Sequence, residues 1–161
     1  MYLGIDPGLD GALALLAKDG ERIHLLADMP TTTGGQGKRA VDAALLADVV
    51  REAMTASQAE GERLQAVVEK VGAMPGQGVS SMFAFGQGFG TLLGVLAALG
   101  VRYRLVTPVT WKKSAKLIGQ EKDAARQLAL RLWPERSSDF RRKADVGRAD
   151  AALIGYFGRL A

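Results

Sequence analysis

Met1-Tyr2-Leu3-Gly4-Ile5-Asp6-Pro7-Gly8-Leu9-Asp10-Gly11-Ala12-Leu13-Ala14-Leu15-Leu16 is the stretch on which the fold turns. Two short apolar runs, Tyr2 to Ile5 and Ala12 to Leu16, flank a polar, glycine-containing segment, and a third run, Arg22 to Leu26, follows Asp19-Gly20. Asp-Gly suits tight hairpin turns, because both residues tolerate positive φ. The spacing predicts three antiparallel strands at the start of the chain. The first ends in an acid, Asp6, and Pro7 and Gly8 then turn the chain away, leaving a carboxylate at the edge of the sheet beside a cleft. Asp-Pro-Gly is equally good chemistry for a plain turn, so Asp6 alone decides nothing.

Outward from that meander, the segment Met29 to Lys38 reads as a loop, and Ala40 to Met54 places Val41, Leu45, Val49 and Ala53 on one helical face. Leu64 to Val68 is too short for a helix and predicts a buried strand ending at Glu69. A long helix over Val79 to Leu99, a strand over Tyr103 to Val106, and helices over Glu121 to Trp133 and Val146 to Leu160 complete the pattern. Thr107-Pro108 has the form of an N-cap with proline at the first helical position. A meander followed by βαβ units implies an α/β fold, a mixed five-stranded sheet flanked by helices. At 161 residues, 48% hydrophobic and 24% charged, the chain suits a single domain over residues 1–161.

Composition removes several classes of chemistry. There are no cysteines and a single histidine, His24, so thiolate sites and imidazole-based zinc sites are excluded. A hard cation held by carboxylates remains open. The net charge of +4 and pI near 9.6 suit a polyanionic partner. No signal-peptide pattern stands at the start, so cytoplasmic residence is expected. Val71 to Val101 carries no charged residue and is long enough to cross a bilayer. Its glycines, serines, glutamines and proline favour a buried helix, and no membrane partner is expected.

Two further acids stand out. Glu69 closes a buried strand, and Lys70 beside it points to the opposite face and cannot neutralise it; a strand end reaching water is the plain alternative. Asp150 shares a helical stripe with Val146, Leu153 and Phe157, which puts a carboxylate on the core-facing side, a costly place without a cation or strong donors. Asp145 lies about 140° around an ideal helix from Asp150 and would join it only from the helix N-terminus; N-capping is its other role. Acids converging within about 5 Å repel by roughly 3 kcal/mol per pair at an effective dielectric near 20. A pair of divalent cations turns that repulsion into binding energy and supplies phosphodiester hydrolysis, and carboxylate-only ligands favour magnesium or manganese.

Gly4-Ile5-Asp6-Pro7-Gly8 followed by Gly11-Ala12, an acid ending the fourth strand, and Gly147-Arg148-Ala149-Asp150-Ala151 on the last helix together resemble RuvC-type Holliday-junction resolvases. The likeness runs over nearly the whole chain, and Thr107-Pro108-Val109-Thr110-Trp111-Lys112-Lys113 is similar to the shorter bacterial and phage-borne members. The resemblance implies a ribonuclease H-like fold, a homodimer, and Asp6, Glu69 and Asp150 as catalytic metal ligands with Asp145 the fourth. It also implies two Mg2+ per site, with Mn2+ as a substitute, and resolution of four-way DNA junctions without a covalent intermediate. Two departures stand out: Gly147 occupies the position three before Asp150, where many members carry an acid, and Gly72 the position of an aromatic wedge in some members, so that either Met74 or Phe83 substitutes or the junction is opened differently.

Lys112, Lys113 and Lys116 around Trp111, and Arg141, Arg142 and Lys143 before the last helix, form two basic clusters fit to hold DNA phosphates beside an acidic site. Gly34-Gly35-Gln36-Gly37-Lys38 fails the spacing of a phosphate-binding loop and reads as a surface loop, with no nucleotide cofactor expected. Gly86, Gly90 and Gly94 share a helix face that packs either on the sheet or against a second copy. The alternative functions are a non-catalytic branched-DNA-binding protein of the same fold and, more remotely, a nucleotide-dependent phosphotransferase.

Overall fold

In a computed structural model, which describes residues 1–34, 37–72, 76, 78–121 and 123–160, strands β1 (Tyr2–Asp6), β2 (Ala12–Leu16) and β3 (Ile23–Asp28) form the antiparallel meander that the opening residues predict. Two more strands, β6 (Gln65–Glu69) and β7 (Arg102–Val106), join parallel to β1. The resulting five-stranded sheet has the order β3-β2-β1-β6-β7. Helices cover both faces. Every residue of β2 is buried, which explains its unbroken apolar run.

One face of the sheet packs Leu3, Ile5, Leu13, Leu15, Ala66 and Val68 against helices α1 (Ala43–Ala59) and α2 (Val79–Ala98). The other packs Ala12, Ala14, Leu16, Val67 and Val106 against α5 (Val146–Gly158), with α3 (Pro108–Ser114) and α4 (Ala124–Leu132) alongside. The two side-chain sets alternate along each strand, as the pleat requires. Helix α5 lies directly on β1. A methyl group on Gly4 would stand 2.1 Å from the Ala151 carbonyl oxygen and 2.4 Å from the Gly155 nitrogen, so strand and helix touch backbone to backbone.

Several expectations need correction. A two-stranded hairpin, β4 (Thr31–Thr33) with β5 (Arg39–Val41), occupies ground read as loop and helix start. Helix α1 begins after Asp42, whose carboxylate accepts from the backbone N–H groups of Ala44 and Leu45, and its buried face is Leu46, Val50, Ala53 and Ser57. Leu45, expected inside, is 53% exposed. In the pairs Leu45-Leu46 and Val49-Val50 the later member points to the sheet, and periodicity alone does not choose between them. Helix α4 ends before Trp133, whose φ and ψ of −129° and 67° follow from the proline at 134.

Helix α2 departs most from expectation. It was expected to be buried, yet its buried residues are Leu92 and Leu96 only, and added methyl groups at Gly86, Gly90 and Gly94 would meet nothing within 4 Å. The glycine face therefore does not lie on the sheet. By length and composition α2 could cross a membrane. Its flanking strands, however, are hydrogen-bonded to each other, Gln65 opposite Arg102 through Glu69 opposite Val106, which makes α2 a crossover between neighbouring parallel strands.

Candidate active site

Strand register assembles the first two acids. In the parallel pair, Leu3 faces Ala66, Gly4 faces Val67 and Ile5 faces Val68, so Asp6 and Glu69 end adjacent strands at the same level. Gly4 and Asp6 share one face, as do Val67 and Glu69, because strand side chains alternate. That face is the one under α5. The contact of Gly4 with Ala151 then places Asp150, one residue earlier on α5, over the same strand ends. Carboxyl ends of parallel strands are the usual ligand position in open α/β sheets.

The electrostatics of the two aspartates register the neighbouring acids. Burial pushes the Asp150 carboxyl up to about 7, and the charges of Asp6 and Glu69 add to the rise, which Lys112 opposes. Burial likewise pushes Asp6 up to about 6; the Gly8 N–H, donating to Asp6 Oδ1 at 3.2 Å, opposes it, and Glu69 raises it further. Asp150 Oδ1 is buried and has no hydrogen-bond partner among the described residues. An orphaned carboxylate oxygen facing two more acids is a donor set suited to a hard divalent cation. Among the described residues, no three acids or histidines are already closed around an ion-sized position.

Asp145, the expected fourth ligand, is paired with Arg142 in this structure rather than turned toward the other three acids. It is 3% exposed and sits in a cap with Arg142: Oδ2 accepts from the Arg142 backbone N–H at 2.7 Å, and Oδ1 accepts from Nε and Nη2 at 3.0 and 2.8 Å. The Arg142 guanidinium holds its carboxyl below the usual range. With its oxygens engaged and its charge matched, the Asp145 carboxylate closes the short 3-10 turn Lys143–Asp145 that leads into α5. Gly147 offers no substitute, since a methyl group there would stand 2.1 Å from the Asp10 carbonyl oxygen. The backbone of the β1–β2 loop fills the space that an acid three before Asp150 would need.

Of the basic residues, Lys112 is half-buried and near enough to bear on both Asp6 and Asp150. Lys113 and Lys116 are exposed on and just after α3. Arg141 and Lys143 are exposed, whereas Arg142 is engaged by Asp145. Gly72 and Phe83 are exposed, and Met74 lies outside the described residues, as do Gly35 and Gln36 of the glycine-rich loop.

Sequence reasoning missed three interactions. Trp111 Nε1 donates to Glu69 Oε1 at 2.8 Å. Arg39 clamps the β1–β2 loop, donating to Asp10 Oδ1 at 2.7 Å and to the Leu9 carbonyl at 2.6 Å. Arg148 pairs bidentately with Asp28 at 2.5 and 2.7 Å, joining α5 to the end of β3. The partners lie 29 to 120 residues apart in sequence, beyond any local pattern. The first was accessible in part, since an N-cap at Thr107 fixes where α3 begins after β7.

No protein-family model and no curated protein matches the sequence. Solved structures do match: Thermus thermophilus RuvC, with a TM-score of 0.56 at 14% identity over 99% of this chain and 95% of that one, and T. thermophilus RuvC in complex with Holliday junction substrate, with a TM-score of 0.59 at 16% identity over 99% and 96%. At such identities the likeness speaks to architecture, and it agrees with the strand order and the helical layers described above. The chain therefore has the ribonuclease H-like fold of RuvC.

Proposed function

We propose that the protein is a magnesium-dependent endonuclease that cuts branched DNA, with Asp6, Glu69 and Asp150 as its metal ligands. The observation that carries this reading is Asp150 Oδ1, buried without a partner among the described residues and close to two further acids at the ends of adjacent parallel strands. The similar RuvC structure solved with a Holliday junction substrate supports the choice of DNA geometry. When bound at these acids, divalent cations would supply Lewis-acid activation of water and stabilisation of the departing oxygen. The chain's own residues do the rest: burial around Asp150 strengthens its pull on a cation, and Lys112, Lys113 and Lys116 on one flank offer phosphate contacts beside a group of acids that repels DNA. Manganese, equally suited to oxygen ligands, should substitute.

Two copies are needed to nick a four-way junction symmetrically. We assign the dimer contact to α2, whose glycine face is open and whose Val79 and Phe83 are 79% and 68% exposed. Tyr103 and Leu105 on the adjacent edge strand extend the apolar surface.

The test incubates purified protein with a labelled four-way junction and a matched linear duplex, in magnesium, manganese or EDTA. Paired, symmetric nicks on the junction alone, lost in EDTA, are expected. Tight junction binding without cleavage in either metal would replace this reading with that of a non-catalytic binding protein.

A further inference from the structure

Trp111 is fully buried, in the cluster that joins Val106, Ala149, Ala152 and Leu153 between the sheet and α5. Its position follows from the backbone. Val106 lies opposite Glu69 in the parallel register, the Lys70 N–H donates to the Val106 carbonyl at 2.7 Å, and the chain turns directly from β7 into α3 at the Thr107 cap. One turn into that helix, residue 111 comes back over the end of β6. Its indole has one polar group, a donor N–H, and that group reaches Glu69 Oε1 at 2.8 Å. Lys112 Nζ stands 5.2 Å from the centroid of the same ring.

The kind of donor matters. Asp145 is held by a guanidinium, which fixes the carboxylate and also cancels its charge. Glu69 is held by a neutral N–H on a ring locked in the core, which fixes the carboxylate and leaves its charge intact. We propose that Trp111 is a positioning residue: it orients the Glu69 carboxylate toward the cation-binding space shared with Asp6 and Asp150. The inference rests on the metal-dependent reading above, and it adds a part that neither the acids nor the basic clusters supply. Outer partners of this kind set ligand orientation, and their loss typically costs about 10–100-fold in metal affinity.

The chain contains two tryptophans, and the second serves as an internal control. Trp133 is also fully buried, and its Nε1 donates to the Gly20 carbonyl at 3.0 Å, in the turn between β2 and β3. In 15N-labelled wild-type protein, titration with Mg2+ should shift one indole N–H resonance saturably, and substoichiometric Mn2+ should broaden that same resonance while the other stays sharp. Trp111→Phe keeps the buried ring, removes the N–H and identifies the resonance. Mn2+ affinity of that variant, read by electron paramagnetic resonance, should fall about 10–100-fold, with half-maximal cleavage moving to correspondingly higher magnesium. Unchanged Mn2+ affinity in Trp111→Phe, or an indole pair that ignores a metal which the wild type demonstrably binds, overturns the role of Trp111 and leaves the nuclease reading standing. If the variant does not fold, the wild-type titration decides alone. A wild type that binds no Mn2+ at all removes both.

Discussion

Asp145 and Asp150 stand five residues apart at the start of one helix, and each has a buried carboxylate oxygen, yet they have opposite lives. Asp145 accepts three hydrogen bonds from Arg142 and is held ionised. Asp150 has an oxygen with no partner among the described residues, lies near two further acids, and is pushed toward neutrality. Burial raises both carboxyls and dominates at Asp150, while at Asp145 the Arg142 guanidinium outweighs it. A buried acid matched by a cation is architecture, while a buried acid facing its own kind waits for something to bind.

The sharpest way to break this comparison is to neutralise each acid in turn. Asp150→Asn should reduce junction cleavage by more than the roughly 100-fold that losing an outer metal partner costs, while junction binding persists. Asp145→Asn should leave cleavage within a few-fold of wild type. Equal losses in single-turnover assays would show that Asp145 belongs to the site after all.

Stability should move the opposite way. In EDTA, Asp145→Asn removes charge-assisted hydrogen bonds from a buried group and should destabilise by about 1–2 kcal/mol, the low end of that class because Arg142 is largely exposed. Asp150→Asn should stabilise the metal-free protein at pH 8, where the wild-type acid is forced to ionise in a buried place. Denaturant melts of the two variants settle the signs, and two losses would refute the contrast.

The pH dependence follows from the same pair. Asp6 and Asp150 have folded-state values raised to about 6 and about 7, so between about pH 4 and 7 the folded state binds more protons than the unfolded one. Stability in EDTA should therefore fall as pH rises through that window and level off above it. In Asp150→Asn the decline should end near pH 6. Asp145, held low, behaves in reverse: its contribution is present above about pH 4 and is lost as pH falls through its depressed value. Magnesium should flatten the slope between pH 4 and 7, because binding displaces the extra protons.

The smallest effect concerns cations. Lys113 and Lys116 are exposed, whereas Arg142 is engaged. Replacing both lysines with alanine should weaken junction binding and lower the salt slope by up to about 0.9 for each DNA phosphate that is no longer neutralised. Arg142→Ala should change that slope less. An unchanged slope for the lysine pair would take α3 off the DNA surface.

Much of this was legible in the sequence. The meander, the βαβ units and the order of helices follow from apolar runs and turn residues, and Asp6, Glu69 and Asp150 stood out as acids at positions that should be apolar or turned inward. The partner of Asp145 is not legible in the sequence, because its spacing from Asp150 says nothing of Arg142, an exposed cation that folds back over three residues. Trp111 stands in the sequence only as the centre of a lysine cluster, since its hydrogen bond to Glu69 crosses 42 residues and appears only when β7 is in register with β6. The exposure of α2 was hidden for a different reason: an uncharged helix reads alike whether it is covered by its own chain or by a second copy.

The backbone contact between Gly4 and Gly155 has a consequence for how this molecule can vary. With no side chain between β1 and α5, the separation of Asp6 and Asp150 is set by two main chains in contact, a hard stop that no rotamer can lengthen or shorten. Apolar residues elsewhere along α5 are then free to drift through many substitutions while the gauge of the site holds. A single methyl at Gly4 or Gly155 would reset it at once. Evolvability of the core and accuracy of the site are thereby uncoupled, and the sensitivity is concentrated in glycines that carry no chemistry of their own.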